Sequence, residues 1–116
     1  YRDRTCYEHN PSITLVRSNA EECAEFGRVV AEKLNRARGP VSVFVPLGGG
    51  SSYAVSGGVF HDPVADAALV ESLRTHLDPS VELVEVDTDI NDPVFAKAMA
   101  HRLDEHYRAW AADRVD

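Results

Sequence analysis

The sequence predicts an α/β fold: a three-layer, Rossmann-like parallel sheet in the order strand–helix–strand–helix–strand–helix, built as a subdomain of a larger protein. Three observations lead there. Three short β-branched runs, at residues 13–16, 41–45 and 81–86, are each followed by apolar residues at helical spacing. Helices between successive strands imply parallel pairing through right-handed crossovers. The middle run, Val41-Ser-Val-Phe-Val45, is nearly all apolar, as a strand covered on both faces is. Three strands make a narrow sheet and three helices give little cover, so the subdomain is expected to pack against something else. The expected boundaries are a lead-in over residues 1–12, one α/β subdomain over 13–110 and a fraying tail over 111–116.

Taken in order, Ile13-Thr-Leu-Val16 is the first strand. Ser18 and Glu21 then form a capping box, and Cys23, Phe26, Val30 and Leu34 make one apolar stripe. Gly39-Pro40 ends that helix. After the second strand comes a long loop, residues 46–61, which carries Gly48, Gly49, Gly50, Gly57 and Gly58. A loop of that length in a small domain is usually functional or mobile. Asp62-Pro63 opens the second helix, with Asp as cap and Pro in the first turn. Its apolar face is Ala65, Leu69, Leu73 and Leu77, and Asp78-Pro79 closes it. The third strand leads through Asp92-Pro93 into a helix with Phe95, Met99, Leu103, Tyr107 and Trp110 at core spacing.

Length and composition narrow the function. A chain of 116 residues is one domain, with 44% hydrophobic and 27% charged residues, ordinary values for a globular protein. The net charge of −7 argues against nucleic acid as a partner, which needs a basic patch. No apolar run approaches the ~20 residues of a membrane span, so no membrane partner is expected. The polar start, Tyr-Arg-Asp-Arg-Thr-Cys, has no signal-peptide character, and the lack of an initiator Met reads as a mature or truncated chain. Cys6 and Cys23 fit no zinc spacing; Cys23 is read as a buried thiol, and a cytoplasmic, reduced setting is expected.

The chemistry is expected where two polar loops follow strands, because ligands of open parallel sheets bind at the carboxyl edge. One is Gly48-Gly-Gly-Ser-Ser52. Glycines let amides approach an anion and hydroxyls add donors. The loop lacks the Lys of a P-loop and the third Gly of a dinucleotide fingerprint, so an anion cradle and a plain flexible loop both stay open. The other is Asp87-Thr-Asp-Ile-Asn-Asp-Pro93, whose Asp87, Asp89 and Asn91 carry the oxygens a hard cation needs. It departs from an EF-hand at Asp92 and Ala98, and Asp92 is sufficiently explained as a helix cap. His61, at the end of the glycine loop, is a donor candidate. The expected ligand-binding residues are therefore Gly48, Gly49, Gly50, Ser51, Ser52, His61, Asp87, Asp89 and Asn91. His9 and Asn10 are expected at the opposite edge, bonding a turn or an interface. His76, His101 and His106 are expected on solvent-facing helix surfaces. No Ser-His-Asp elbow motif occurs, and no catalytic residue is assigned.

Several short motifs occur together in order: His9-Asn-Pro11, Thr14-Leu-Val-Arg17, Glu32-Lys-Leu-Asn35, Gly39-Pro40, Pro46-x-x-Gly49-x-Ser51, Phe60-x-Asp-Pro63-x-x-Asp66 and Ile90-Asn-Asp-Pro-x-Phe-Ala96. With them, residues 9 to about 103 resemble the C-terminal half of the two-subdomain region of the ATP-binding-like family typified by the plant tobamovirus-resistance protein. The resemblance implies ATP as a ligand and the N-terminal subdomain of the same protein as a partner; a divalent cation is expected from the acidic loop, and a homodimer is the other partner the narrow sheet calls for. Gly48 and Gly50 depart from the family pattern, where bulkier residues are expected.

Two classes of function follow. The first is a binding module forming one wall of a nucleotide or small-anion cleft. The second is an enzyme, a metal-assisted hydrolase or transferase using Asp87, Asp89 and His61. A dimerisation domain without a ligand is a third reading.

Overall fold

A computed structural model describes residues 1–114 of the chain. The elements are β1 (Cys6–Asn10), β2 (Ile13–Val16), α1 (Ala20–Leu34), β3 (Ser42–Pro46), α2 (Pro63–His76), β4 (Glu82–Val86) and α3 (Pro93–Ala112). The α/β class and all six expected elements are present. β1 adds a strand within the lead-in, and α3 takes in Ala111 and Ala112 from the expected tail, whose residues 115–116 lie outside the described residues.

Sheet topology corrects the expectation of three parallel strands. β3 pairs in parallel with β4, but β2 pairs antiparallel with β1 in a separate hairpin, with Tyr7 opposite Leu15. The reason is local. Asn10-Pro11-Ser12 is a turn in which Asn10 Oδ1 accepts from the Ser12 amide at 2.9 Å, an Asx turn that reverses the chain at once. Pairing across a tight turn closes a far shorter loop than a crossover through α1.

The cap of α1 also shifts by one residue. Asn19 is the N-cap: its side chain accepts from the Glu22 amide at 2.9 Å, and the Glu22 carboxylate accepts from the Asn19 amide at 3.1 Å. Ser18-Asn19 and Glu21-Glu22 offer two equivalent registers. Arg4 favours the second by donating to both oxygens of Glu22, at 3.0 and 2.5 Å.

Cys23, Gly27 and Ala31 are the buried line of α1, while Phe26 and Val30 are 51% and 42% exposed. Close packing of α1 on α2 selects the small residues. A Cβ at Gly27 would lie 2.7 Å from Ser72 Cβ and 2.8 Å from the Leu69 carbonyl oxygen. Ser72 Oγ donates to the Ala24 carbonyl at 2.5 Å and ties the helices at that point.

The core joins Ala31, Val45, Val70 and Leu73, with Val43, Leu69, Leu77 and Leu83 packed around them. Phe44, on the alternate face of β3, meets Phe95 of α3 edge-to-face at 6.5 Å. Phe95 is the one buried residue of α3. The rest of its expected core stripe is exposed, Leu103 by 70% and Tyr107 by 61%. Twenty residues of helix span about 30 Å, whereas five residues of strand span only about 17 Å, so the helix overruns the sheet. His106, expected in solvent, is half-buried, and its Nε2 lies 2.8 Å from Ser42 Oγ. Arg102 Nε donates to Glu82 at 2.7 Å beside it. The radius of gyration is 16.8 Å, against about 13 Å for a compact domain of this length. No helix among the described residues is long and apolar enough to cross a membrane.

Candidate functional site: a cleft beneath the glycine loop

The two polar loops meet at the carboxyl edge of the β3–β4 pair. Their main chains continue the ladder past the strands: Leu47 donates to Val86, Gly48 donates to Thr88, both at 2.8 Å, and Ile90 donates to Gly49 at 3.0 Å. Gly49 and Asp89 form a parallel bridge. This contact accounts for two glycines. A Cβ on Gly48 would stand 2.8 Å from the Thr88 carbonyl carbon, and Gly49 has φ +138, with any Cβ 3.0 Å from the Ala54 carbonyl oxygen. The amide of Gly49 donates to Pro46 at 3.3 Å. At these two positions glycine serves close backbone approach, and the amides are already engaged.

The remainder of the 46–61 loop folds on itself. Ala54 and Phe60 are buried, and the Phe60 amide donates to the Tyr53 carbonyl at 2.8 Å. Tyr53 and Phe60 stack against Tyr7 of the hairpin at 5.1 and 6.4 Å. His9 Nδ1 lies 3.2 Å from the Tyr53 hydroxyl, so the hairpin sits beside the glycine loop and not at the opposite edge.

The middle of the loop is different. A Cβ on Gly50 would meet nothing within 4 Å. Among the described residues, the amides of Gly50, Ser51 and Ser52 donate to no backbone carbonyl. Gly50 and Ser51 line a cavity of about 330 Å³ together with Arg17, Cys23, Phe26 and Asp66. A second cavity of about 120 Å³, against β3 and α2, shares Gly50, Asp66 and Leu69 with it. The two form one cleft under Gly50, of a size with small-molecule sites.

Arg17 and Asp66 set its electrostatics. Leaving β2, Arg17 turns inward and donates from Nε to the Phe60 carbonyl at 2.9 Å and from Nη2 to Asp66 Oδ1 at 2.5 Å. Its side chain is 16% exposed. One ion pair thus pins the hairpin exit, the end of the glycine loop and the first turns of α2. Asp66 Oδ1 is taken by Arg17, and no bond to Oδ2 is made among the described residues. Burial pushes the Cys23 thiol up; Arg17 opposes the shift while Asp66 and Asp62 add to it. A buried thiol with a raised pKa is a poor nucleophile. Neither Arg17 nor Asp66 was singled out from sequence chemistry, although both fall in motifs that carry the resemblance.

The acidic loop is occupied with its own turn. Asp89 Oδ1 accepts from the Asn91 amide and Asp92 Oδ1 from the Val94 amide, both at 2.8 Å. Asp92 is the N-cap of α3, as expected. Asp87 and Asn91 are exposed. Thr88 Oγ1, between the loops, is buried without a hydrogen-bond partner. Among the described residues no three His, Cys, Asp or Glu side chains converge as a metal site. His61 is exposed, its amide donates to Gly58 at 3.1 Å, and no hydrogen bond joins its ring to Asp87 or Asp89. Of the nine expected ligand residues, Gly50 and Ser51 line the cleft; Gly48, Gly49, Ser52, His61, Asp87, Asp89 and Asn91 lie around it or beyond it.

Comparison with known proteins places this geometry in a family. Residues 1–107 match the model of the uncharacterised protein family UPF0261, C-terminal domain. A UPF0261 protein of Rhizobium meliloti is 44% identical over 100 residues, 84% of this chain and 25% of that protein. One of Mesorhizobium japonicum is 41% identical over 106 residues, 90% of this chain and 27% of that protein. The ToMV resistance protein Tm-1 of Solanum lycopersicum is 33% identical over 101 residues, 85% of this chain and 13% of that protein. The chain spans about a quarter of the length of the bacterial relatives.

Proposed function

The chain belongs to the UPF0261 family, as its C-terminal domain, and from that premise we propose that it supplies one wall of a cleft for a nucleotide, ATP being the candidate, or another small anion. One observation carries the reading. Gly50 and Ser51, in the open stretch of the glycine loop, line a cavity whose floor holds Arg17 and Asp66. Free amides and hydroxyls on a loop of that kind suit phosphate oxygens. Among the described residues no three carboxylate, His or Cys side chains converge on this wall, so a divalent cation is proposed only as a companion of phosphate oxygens. The chemistry available to these residues is hydrogen bonding from amides and hydroxyls, Arg17 being already paired with Asp66, which favours a binding module over an enzyme.

The rest of the longer protein is proposed as the partner. A two-stranded parallel sheet leaves two edges open, and parallel sheets are normally larger and covered on both faces. The exposed stripe Met99, Leu103, Tyr107 and Trp110 offers the matching apolar surface, on which a homodimer contact is the alternative. Added strands would complete a three-layer Rossmann-like sheet. We place the protein in the cytoplasm on the strength of its two free cysteines.

The test is calorimetric titration of the full-length protein with ATP and with tripolyphosphate. Binding is expected for ATP, weakened in Gly50→Val, because Gly50 lines both cavities and a side chain there would hinder close approach to its amide. Unchanged affinity in Gly50→Val would remove the loop from the site.

A further inference from the structure

Resting on the cleft proposed above, we infer that its floor reads a hydroxylated ring, a ribose-like sugar, through Asp66 and Phe26, while phosphate is kept to the Gly50–Ser52 rim. The starting point is charge. The floor holds a carboxylate whose Oδ1 is neutralised by Arg17 at 2.5 Å and whose other oxygen makes no bond among the described residues. Arg17 itself is committed, through Nε to Phe60 and through Nη2 to Asp66 and the Asp62 carbonyl. A phosphate on the floor would meet Asp66 before it met any free cation, and like charges at close range repel. A ligand hydroxyl, by contrast, donates to a carboxylate oxygen in a charge-assisted bond.

The second observation is aromatic. Phe26 is 51% exposed in a helix whose buried line is Cys23, Gly27 and Ala31, so it contributes little to the core. It nevertheless lines the same cavity as Asp66 and Ser51. A half-exposed phenyl ring lining a cleft is a platform for the apolar face of a ring. The cavity, about 330 Å³ with about 120 Å³ adjoining, takes a sugar and leaves the charged groups at the rim.

The experiment compares ATP, 2′,3′-dideoxy-ATP, free ribose and tripolyphosphate by calorimetry on the full-length protein. Wild type is expected to bind ATP tenfold or more better than the dideoxy analogue, the size of one hydrogen bond to a charged group. In Asp66→Asn that ratio should fall towards one, whatever the variant does to overall affinity. Phe26→Ala, at an exposed site, should weaken ATP several-fold and leave tripolyphosphate unchanged, and Phe26→Trp should restore ATP. Binding of ribose alone would assign the floor to a free sugar rather than a nucleotide and would still support the inference. Equal binding of ATP and its dideoxy analogue, with Phe26→Ala silent, would overturn it while leaving the anion-cleft reading intact. Failure of ATP, ribose and tripolyphosphate alike to bind would overturn both.

Discussion

Two adjacent glycines should respond to the same substitution with opposite signs. Gly49 has φ +138, and its Cβ would sit 3.0 Å from the Ala54 carbonyl oxygen and 3.1 Å from the Val55 nitrogen, both backbone atoms. An L-residue held in such a conformation costs roughly 1–3 kcal/mol, and the tight contacts add to it, so Gly49→Ala should cost about 2–3 kcal/mol. For a domain of this size that lowers Tm by roughly 10–20 °C. Gly50 lies outside the left-handed region and has open space around its missing Cβ. There Ala restricts only the unfolded chain, and Gly50→Ala should gain about 0.4–1 kcal/mol. Urea denaturation followed by circular dichroism measures both, with the midpoints moving apart in opposite directions. If Gly49→Ala were as stable as wild type, the close approach of the glycine loop to residues 54–55 would be wrong, and the assignment of Gly49 to the fold rather than to the ligand would go with it.

Three further outcomes are expected. Gly27→Ala should destabilise by about 1–2 kcal/mol: overpacking against Ser72 and the Leu69 carbonyl outweighs the gain of up to about 1 kcal/mol in helix propensity, and a stabilised variant in thermal melts would refute the close helix contact. Asp92→Ala should cost about 1 kcal/mol through loss of the α3 cap and leave ligand affinity unchanged, as denaturation and titration together would establish. Glu82 is held below the usual carboxylate range by Ser42 first and Arg102 second. A depressed folded pKa gives stability that is present above the unfolded value and lost as pH falls through the folded one. Glu82→Gln should therefore lower stability at neutral pH and approach wild type as pH falls below about 4.5, which flattens the acid limb of the stability–pH curve.

Elements were more legible in the sequence than their pairing. The helices announced themselves through Asp62-Pro63 and Asp92-Pro93, which cap as expected, because capping is a local interaction. The partner of β2 was not legible, since it rests on a turn at Asn10–Ser12 and on a strand, Cys-Tyr-Glu-His-Asn, too polar to stand out. The buried line of α1 was misread for a related reason. Hydrophobicity pointed to Phe26 and Val30, but the geometry of two closely packed helices favours Gly27 and Ala31. At the site, the loops and their meeting edge were legible from strand order. Arg17 and Asp66 were not, because an ion pair joining residues 49 positions apart leaves no local pattern.

The backbone zipper between the glycine and acidic loops bears on how such a domain can diversify. Gly48, Gly49, Thr88 and Ile90 are held by main-chain groups, which every residue type but proline carries in full. Side chains at 87, 89 and 91 can therefore be exchanged without detaching the two loops from one another, whereas positions 48 and 49 cannot. Lineages are then free to alter the side chains along this edge while inheriting its shape, with two small residues acting as the fixed stitch of an otherwise replaceable seam.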